Sequence, residues 1–263
     1  MIDLIHSDPG YSTELALTPA ELARVTELIR SQWSAHLHHH YPELSHEIER
    51  CTLADYHRLA PRLDHATLWP KSARILSAAA VAEIRTMSLV RRLEAIFGKF
   101  EITAEERCGH EEIYWRLVRP NQPADVGPLH ADAWFWELGH GRIPPERERI
   151  KVWVAVITES GRNGLRVVPG SHRRQWRYHG EQRDGMLKPC LDEREEDLDL
   201  RLLPAEPGQA VIFHDRLLHG GALNLGEHTR VSFEMTLTPA SKGAAAKGWE
   251  ISDQTSSSRG TVT

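Results

Sequence analysis

In the stretch Gly127-Pro128-Leu129-His130-Ala131-Asp132, an imidazole and a carboxylate stand two positions apart. On a strand, residues i and i+2 leave from the same face, so His130 and Asp132 could both reach one ion. A third ligand then has to come from elsewhere, and His219, just beyond the apolar run Ala210 to His214, is the natural candidate. Two histidines and one carboxylate on one side of an ion leave the opposite positions open, as iron(II) enzymes require when they bind a cosubstrate and dioxygen together. With 16 histidines in the chain, a His-x-Asp pair arises readily by chance, and alone it more often marks an exposed turn. Context adds weight. Eleven residues past His219, Arg230 opens a strong strand and Ser232 follows on the same face. A buried guanidinium fork beside a hydroxyl can clamp a carboxylate through charge-assisted bonds, and the C5 carboxylate of 2-oxoglutarate is such a group. The competing reading is a surface Arg230 paired with Glu227 or Glu234.

These residues need a rigid frame. From Glu111 onward the chain shows short strand-like runs, Ile113 to Val118, Ile150 to Thr158, Leu165 to Val168, Ala210 to His214 and Arg230 to Thr238, separated by Pro, Gly, Asn and charged turns. That texture predicts an antiparallel barrel or jelly roll rather than repeating strand-helix units. Two polar insertions, Gly139 to Arg149 and Arg173 to Asp199, exceed what hairpin turns need and are candidate lids. Ahead of the strands, Thr18-Pro19-Ala20-Glu21 reads as a capped helix start, and apolar Leu22, Val25, Leu28 and Ile29 carry the helix to about Trp33. A second helical region is expected from Ser72 to Ile96, with Gly98 as its stop. The expected organisation is one domain over residues 1–240, with a helical preface over 1–100 and a β core over 104–240. Residues 241–263 form a polar tail lacking the apolar content to bury itself.

The whole chain sets bounds on partners. At 263 residues with a net charge of -5 and mixed charge signs, it has room for one sizeable core and no basic stripe that would follow a phosphate backbone. No nucleic-acid partner is expected. The three cysteines, Cys51, Cys108 and Cys190, are odd in number and widely spaced, which fits neither a disulfide framework nor a cysteine zinc site. No apolar run is long enough to span a membrane, and a soluble, cytoplasmic protein is expected. The cluster His36, His38, His39 and His40 lacks spaced acidic partners and reads as a polar surface turn after the first helix.

Taken together, the blocks His130-Ala131-Asp132, Val152-Trp153-Val154-Ala155-Val156, Asn163-Gly164-Leu165-Arg166-Val167-Val168-Pro169-Gly170-Ser171-His172 and Gly208-Gln209-Ala210-Val211-Ile212-Phe213-His214, then His219, Asn224 and Arg230, follow a recognisable order. In that order the chain resembles the phytanoyl-CoA dioxygenase-like family of iron(II)/2-oxoglutarate oxygenases, over roughly Glu111 to Thr238. The resemblance implies a double-stranded β-helix (jelly-roll, cupin-like) core, mainly β with flanking helices and an N-terminal helical scaffold. It also implies iron(II) held by His130, Asp132 and His219, with 2-oxoglutarate and dioxygen as cosubstrates and Arg230 as the anchor. Trp153 would lie beside the cosubstrate and Ser232 would assist the anchor. His172 would be structural and Asn224 would fix a loop. Related halogenases replace the carboxylate ligand with a small residue, whereas Asp132 is present here, which favours hydroxylation.

The expected reaction is hydroxylation of an unactivated carbon of a small polar metabolite, with release of succinate and CO2 and no catalytic side chain beyond the metal centre. Candidate substrate residues are Arg116 on the preceding strand, Trp134 and Trp136 if the ligand strand continues, and Arg142 in the first insertion. Two other functions compete: a cupin-type metalloenzyme that does not use 2-oxoglutarate, and a non-catalytic ligand-binding jelly roll.

Overall fold

The computed structural model describes residues 1–240 apart from 104, 105, 107, 141–146, 184 and 185. The expected tail and Arg142 therefore lie outside the described residues.

A short helix α1 (Ile2–His6) and strand β1 (Tyr11–Ala16) precede the long helix α2 (Pro19–His40). Its start is the expected capping box: the Thr18 side chain accepts from the Glu21 N–H, while the Glu21 carboxylate accepts from the Thr18 N–H. The expected end near Trp33 falls short. Val25, Ile29, Trp33 and Leu37 form one buried row at i+4 spacing, and Leu37 carries that row a turn further. The four histidines thus sit in the last turns of α2 rather than in a turn after it. His36 stacks near Trp69 and lies 2.7 Å from the Leu68 carbonyl through Nε2.

Helices α3 (Ser45–Arg50), α4 (Tyr56–Leu59), α5 (His65–Leu68), α6 (Ala78–Arg85) and α7 (Ser88–Phe97) follow. The helical region expected from Ser72 to Ile96 is two helices, α6 capped by Ser77 and α7 ended by Gly98 at φ 77°, a left-handed conformation that glycine adopts without strain.

The strands are β2 (Phe100–Ile102), β3 (Tyr114–Val118), β4 (Ile150–Ile157), β5 (Leu165–Val167), β6 (Tyr178–Arg183), β7 (Met186–Leu191), β8 (Arg201–Leu203), β9 (Gln209–His214), β10 (His219–Gly221) and β11 (Arg230–Pro239). A large antiparallel sheet runs β1-β9-β4-β11-β2, with β3 also paired to β11; a small sheet runs β10-β5-β8. Together they make the double-stranded β-helix, with helices flanking the large sheet. Alternation along each strand decides what each face carries. Ile150, Val152, Val154, Ile212, Val231, Phe233 and Met235 pack with Val25, Ile29 and Trp33 in the sheet-helix core. The opposite face sends Trp153, Ala155, Val211 and Phe213 against Leu165, Val167 and Leu203 of the small sheet. By the same period, β11 turns Arg230, Ser232, Glu234 and Thr236 into the space between the sheets.

Asn224 ties the turn before β11 to β3. Fully buried, it donates from Nδ2 to the Val118 and His228 carbonyls and accepts at Oδ1 from Asn163 Nδ2 and the Gly226 N–H, each at 2.8–2.9 Å. Asn224→Ala strands these groups and is expected to lower unfolding stability by about 3 kcal/mol in a denaturant titration. Asn224→Asp should not rescue it, because a carboxylate has no N–H for the two carbonyls.

Candidate active site

His130 and His219 are 89 positions apart in sequence but form an opposed antiparallel pair, each N–H donating to the other's carbonyl at 3.0 and 2.9 Å. Such a doubly bonded pair fixes two backbones side by side, so a short bridge between distant segments sets the ring spacing of 4.5 Å. On each ring Nδ1 faces a backbone carbonyl, Pro128 O at 2.8 Å for His130 and Leu217 O at 2.9 Å for His219. A carbonyl only accepts, so Nδ1 carries a proton and Nε2 is the nitrogen left to meet a ligand. The two Nε2 atoms approach the same carboxylate, His130 at 3.8 Å from Asp132 Oδ1 and His219 at 3.4 Å from Oδ2. All three ligand-type atoms lie within 4.8 Å of one another, the one such His, Cys, Asp or Glu grouping among the described residues.

The electrostatics suit a cation. Asp132 Oδ2 is buried without a hydrogen bond, with Lys151 Nζ 3.6 Å away. Burial would raise the Asp132 pKa, but Lys151, His219 and His130 outweigh it and hold the carboxyl below its ordinary value. Burial pushes the His219 imidazole down to about 4, so it stays neutral near pH 7, the form that ligates a metal. Two imidazole nitrogens and an ionised oxygen whose buried Oδ2 makes no hydrogen bond are a donor set that fits a divalent metal.

The local secondary structure corrects the sequence reading. Asp132 is not on a strand; it begins helix α8 (Asp132–Glu137), after the single bridge at His130. Alternation therefore fails for the tryptophans. Trp134 turns away from the ligands and stacks on Tyr178 of the β6–β7 hairpin, centroids 4.5 Å apart and planes at 7°. Trp136 is covered by the Arg149 guanidinium. The first turn of α8 instead brings Phe135, three residues past Asp132, edge-on to His130 at 5.3 Å. That hairpin lies within the second insertion, Arg173 to Asp199, where strands β6 and β7 pair. Besides the stacking, Tyr178 donates to Glu137 at 2.5 Å. Tyr178→Ala is expected to cost about 1–3 kcal/mol and to speed hydrogen exchange in the hairpin, while metal affinity stays unchanged.

Arg230 is 3% exposed, so the surface reading fails, and neither Glu227 nor Glu234 pairs with it. Nη1 donates to the Gly164 carbonyl at 2.7 Å, whereas Nε and the Ser232 hydroxyl are buried without partners. Burial pushes the guanidinium pKa down to about 10. The Trp153 ring lies 5.9 Å from its Cζ. Trp153 thus faces Arg230, and Ser232 leaves β11 from the same face as Arg230. Arg116 pairs with Ser232 in register, and its guanidinium turns to Glu234, Nη2 to Oε1 at 2.7 Å.

Sequence reasoning missed Lys151 and Glu234. Lys151 is buried and donates to Thr236 Oγ1 at 2.9 Å. Glu234 is held well below the usual carboxylate range by Arg116 and Lys151 against the opposing effect of burial. The signal was there: Lys151 precedes Trp153, and Glu234 follows Ser232, by two positions in strands whose alternation was already recognised.

A family model described as phytanoyl-CoA dioxygenase (PhyH) matches residues 16–232. A curated relative, the 1-deoxypentalenic acid 11-beta-hydroxylase of Streptomyces exfoliatus, is 30% identical over 130 residues, covering 46% of this chain and 44% of the relative. The enzyme of that name from Streptomyces arenae is 27% identical over the same shares. The chain thus matches less than half the length of these relatives. Among solved structures, a non-heme monooxygenase, the ThoJ-Ni complex, superposes with a TM-score of 0.52 at 14% identity, covering 90% of this chain and 76% of that one. EctD from S. alaskensis with 2-oxoglutarate and 5-hydroxyectoine gives 0.51 at 15% identity, with 88% and 72% covered. At such identities these two structures show a common fold. No helix among the described residues is long and apolar enough to cross a membrane.

Proposed function

Because the chain belongs to the phytanoyl-CoA dioxygenase family, we propose that it is an iron(II)- and 2-oxoglutarate-dependent dioxygenase that hydroxylates an unactivated carbon of a small polar metabolite. The observation that carries this reading is the convergence of His130, Asp132 and His219 in the same inter-sheet space as a buried Arg230 that lacks a carboxylate partner among the described residues. A buried guanidinium without a counter-charge costs several kcal/mol unless a ligand supplies one. The far carboxylate of 2-oxoglutarate would do so, with the Ser232 hydroxyl as a second donor.

When bound at the triad, iron(II) would supply the redox chemistry that couples dioxygen and 2-oxoglutarate to substrate oxidation. One oxygen atom would enter the substrate C–H bond, and the other would enter succinate as CO2 leaves. The residues have distinct tasks. His130 and His219 present Nε2 because the Pro128 and Leu217 carbonyls hold Nδ1. Asp132 stays ionised beside Lys151, and Arg230 sets the direction of the cosubstrate. Trp153 and Phe213, both buried, exclude water from that wall. Asp132 as ligand favours hydroxylation over halide transfer, and a cytoplasmic setting suits the three unpaired cysteines.

The test is succinate formation from 2-oxoglutarate by purified protein with iron(II), ascorbate and air, followed while candidate metabolites are added. Slow basal turnover that a substrate accelerates supports the proposal. Iron binding without any succinate would favour a cupin-type enzyme that does not use 2-oxoglutarate.

A further inference from the structure

A pocket of about 420 Å³ opens at the free edge of β3, lined among others by Trp69, Arg74, Arg116, Arg119, His65 and Asp125. Its volume is that of a small-molecule site, and its charges do not cancel. Arg119 is matched by Asp125, which accepts from its Nε and Nη2 at 2.9 and 2.7 Å. Arg116 is matched by Glu234. Arg74 has no carboxylate within ion-pair distance among the described residues. It donates from Nε to the Trp69 carbonyl at 3.1 Å and from Nη1 to the Trp115 carbonyl at 3.2 Å. These two bonds lock the fork and leave three of its five N–H groups for something else.

Arg116 and Arg74 are also near enough to repel. Burial, then the Arg116 charge, push the Arg74 pKa down to about 10, with Glu234 opposing. Two guanidiniums beside one carboxylate, one of them fixed by backbone carbonyls, present the forked N–H donors that carboxylates and phosphates accept from. The opposite wall is rigid, since Trp69 Nε1 donates to Tyr56 Oη at 2.8 Å, and Tyr56 is in turn hydrogen-bonded to His65 at 2.8 Å. Arg116 joins this pocket to the inter-sheet space: its partner Glu234 acts electrostatically on both Asp132 and His219.

We propose that this pocket receives an anionic group, carboxylate or phosphate, of the substrate, with Arg74 and Arg116 as its clamp and Trp69 as a flat wall for the adjoining apolar part. This rests on the oxygenase reading and narrows its substrate class to organic anions. The cosubstrate anchor at Arg230 is a separate group.

The experiment titrates anaerobic protein, loaded with iron(II) and saturating 2-oxoglutarate, with cyclohexanecarboxylate, cyclohexyl phosphate and cyclohexanecarboxamide by calorimetry. At least one anion should bind about tenfold or more tightly than the neutral amide; which one does so identifies carboxylate or phosphate. Arg74→Gln and Arg116→Gln should each abolish the preference, and Arg74→Lys should retain part of it. Equal binding of anions and amide, absence of anion binding, or an unchanged preference in a folded Arg74→Gln or Arg116→Gln would overturn the inference. The visible absorption of the iron(II)·2-oxoglutarate complex in the same samples separates the two claims. Its presence without anion preference sinks the pocket alone, and its absence sinks the oxygenase reading.

Discussion

Asp132→Ala is expected to weaken divalent metal binding by at least about 100-fold and to abolish succinate formation. Loss of an outer partner of a metal ligand already costs about 10–100-fold, and here the sole charged donor of the triad is removed. Both Nε2 atoms would then face a site without negative charge, while Lys151 Nζ, 3.6 Å from the lost carboxylate, would remain as a repelling cation. The fold should survive, because Asp132 Oδ2 makes no hydrogen bond that the structure would miss. Metal affinity by competition with a chromogenic chelator, together with the thermal midpoint of the metal-free protein, checks both parts. A variant that binds iron like the wild type would remove Asp132 from the site.

Arg230→Met is expected to act on the cosubstrate rather than on the metal. Truncating one partner of a buried charge pair costs about 2–5 kcal/mol, so 2-oxoglutarate affinity should fall by about 30-fold or more. Without cosubstrate, the same change removes a buried guanidinium that has one hydrogen-bond acceptor among the described residues, Gly164 O, and an unpartnered Nε. The ligand-free variant should therefore be as stable as the wild type or more so, as when a buried ion gives way to an apolar side chain of similar length. A residue serving only the fold would show the reverse pattern, lower stability with cosubstrate affinity kept. Equilibrium binding of 2-oxoglutarate and unfolding of the ligand-free protein distinguish the two.

Much of the frame was legible because it depends on local rules. The Thr18 to Glu21 capping box, the Gly98 stop and the five core strands rest on capping chemistry and on strand-like composition between turn residues, both of which a few adjacent residues specify. Alternation put Ser232 on the same face as Arg230, whereas Trp153 was expected beside the cosubstrate only from the family resemblance. What failed was context. Nothing in Asp132-Ala133-Trp134-Phe135-Trp136 announces that the strand gives way to a helix after one bridge, since aromatic residues suit strands in isolation. The switch follows from His130 pairing with His219, a contact across most of the β core. Trp134 and Trp136 were misplaced for that reason, and Phe135 was overlooked. The β6–β7 hairpin was hidden by polar residues that a two-stranded ribbon beside the barrel tolerates. Arg116 was recognised as a candidate, but Arg74 was not: that no carboxylate among the described residues lies within ion-pair distance of it is visible only in the folded chain.

In the proposed function His130, Asp132 and His219 hold iron(II), and Arg230 orients 2-oxoglutarate. The visible spectrum of the protein under anaerobic conditions, recorded as iron(II) and then 2-oxoglutarate are added, tests this. A weak charge-transfer band should appear only with both present, vanish in Asp132→Ala, and require far more 2-oxoglutarate in Arg230→Met. Iron binding with no band at any 2-oxoglutarate concentration, or a band of wild-type strength in Asp132→Ala, would contradict it.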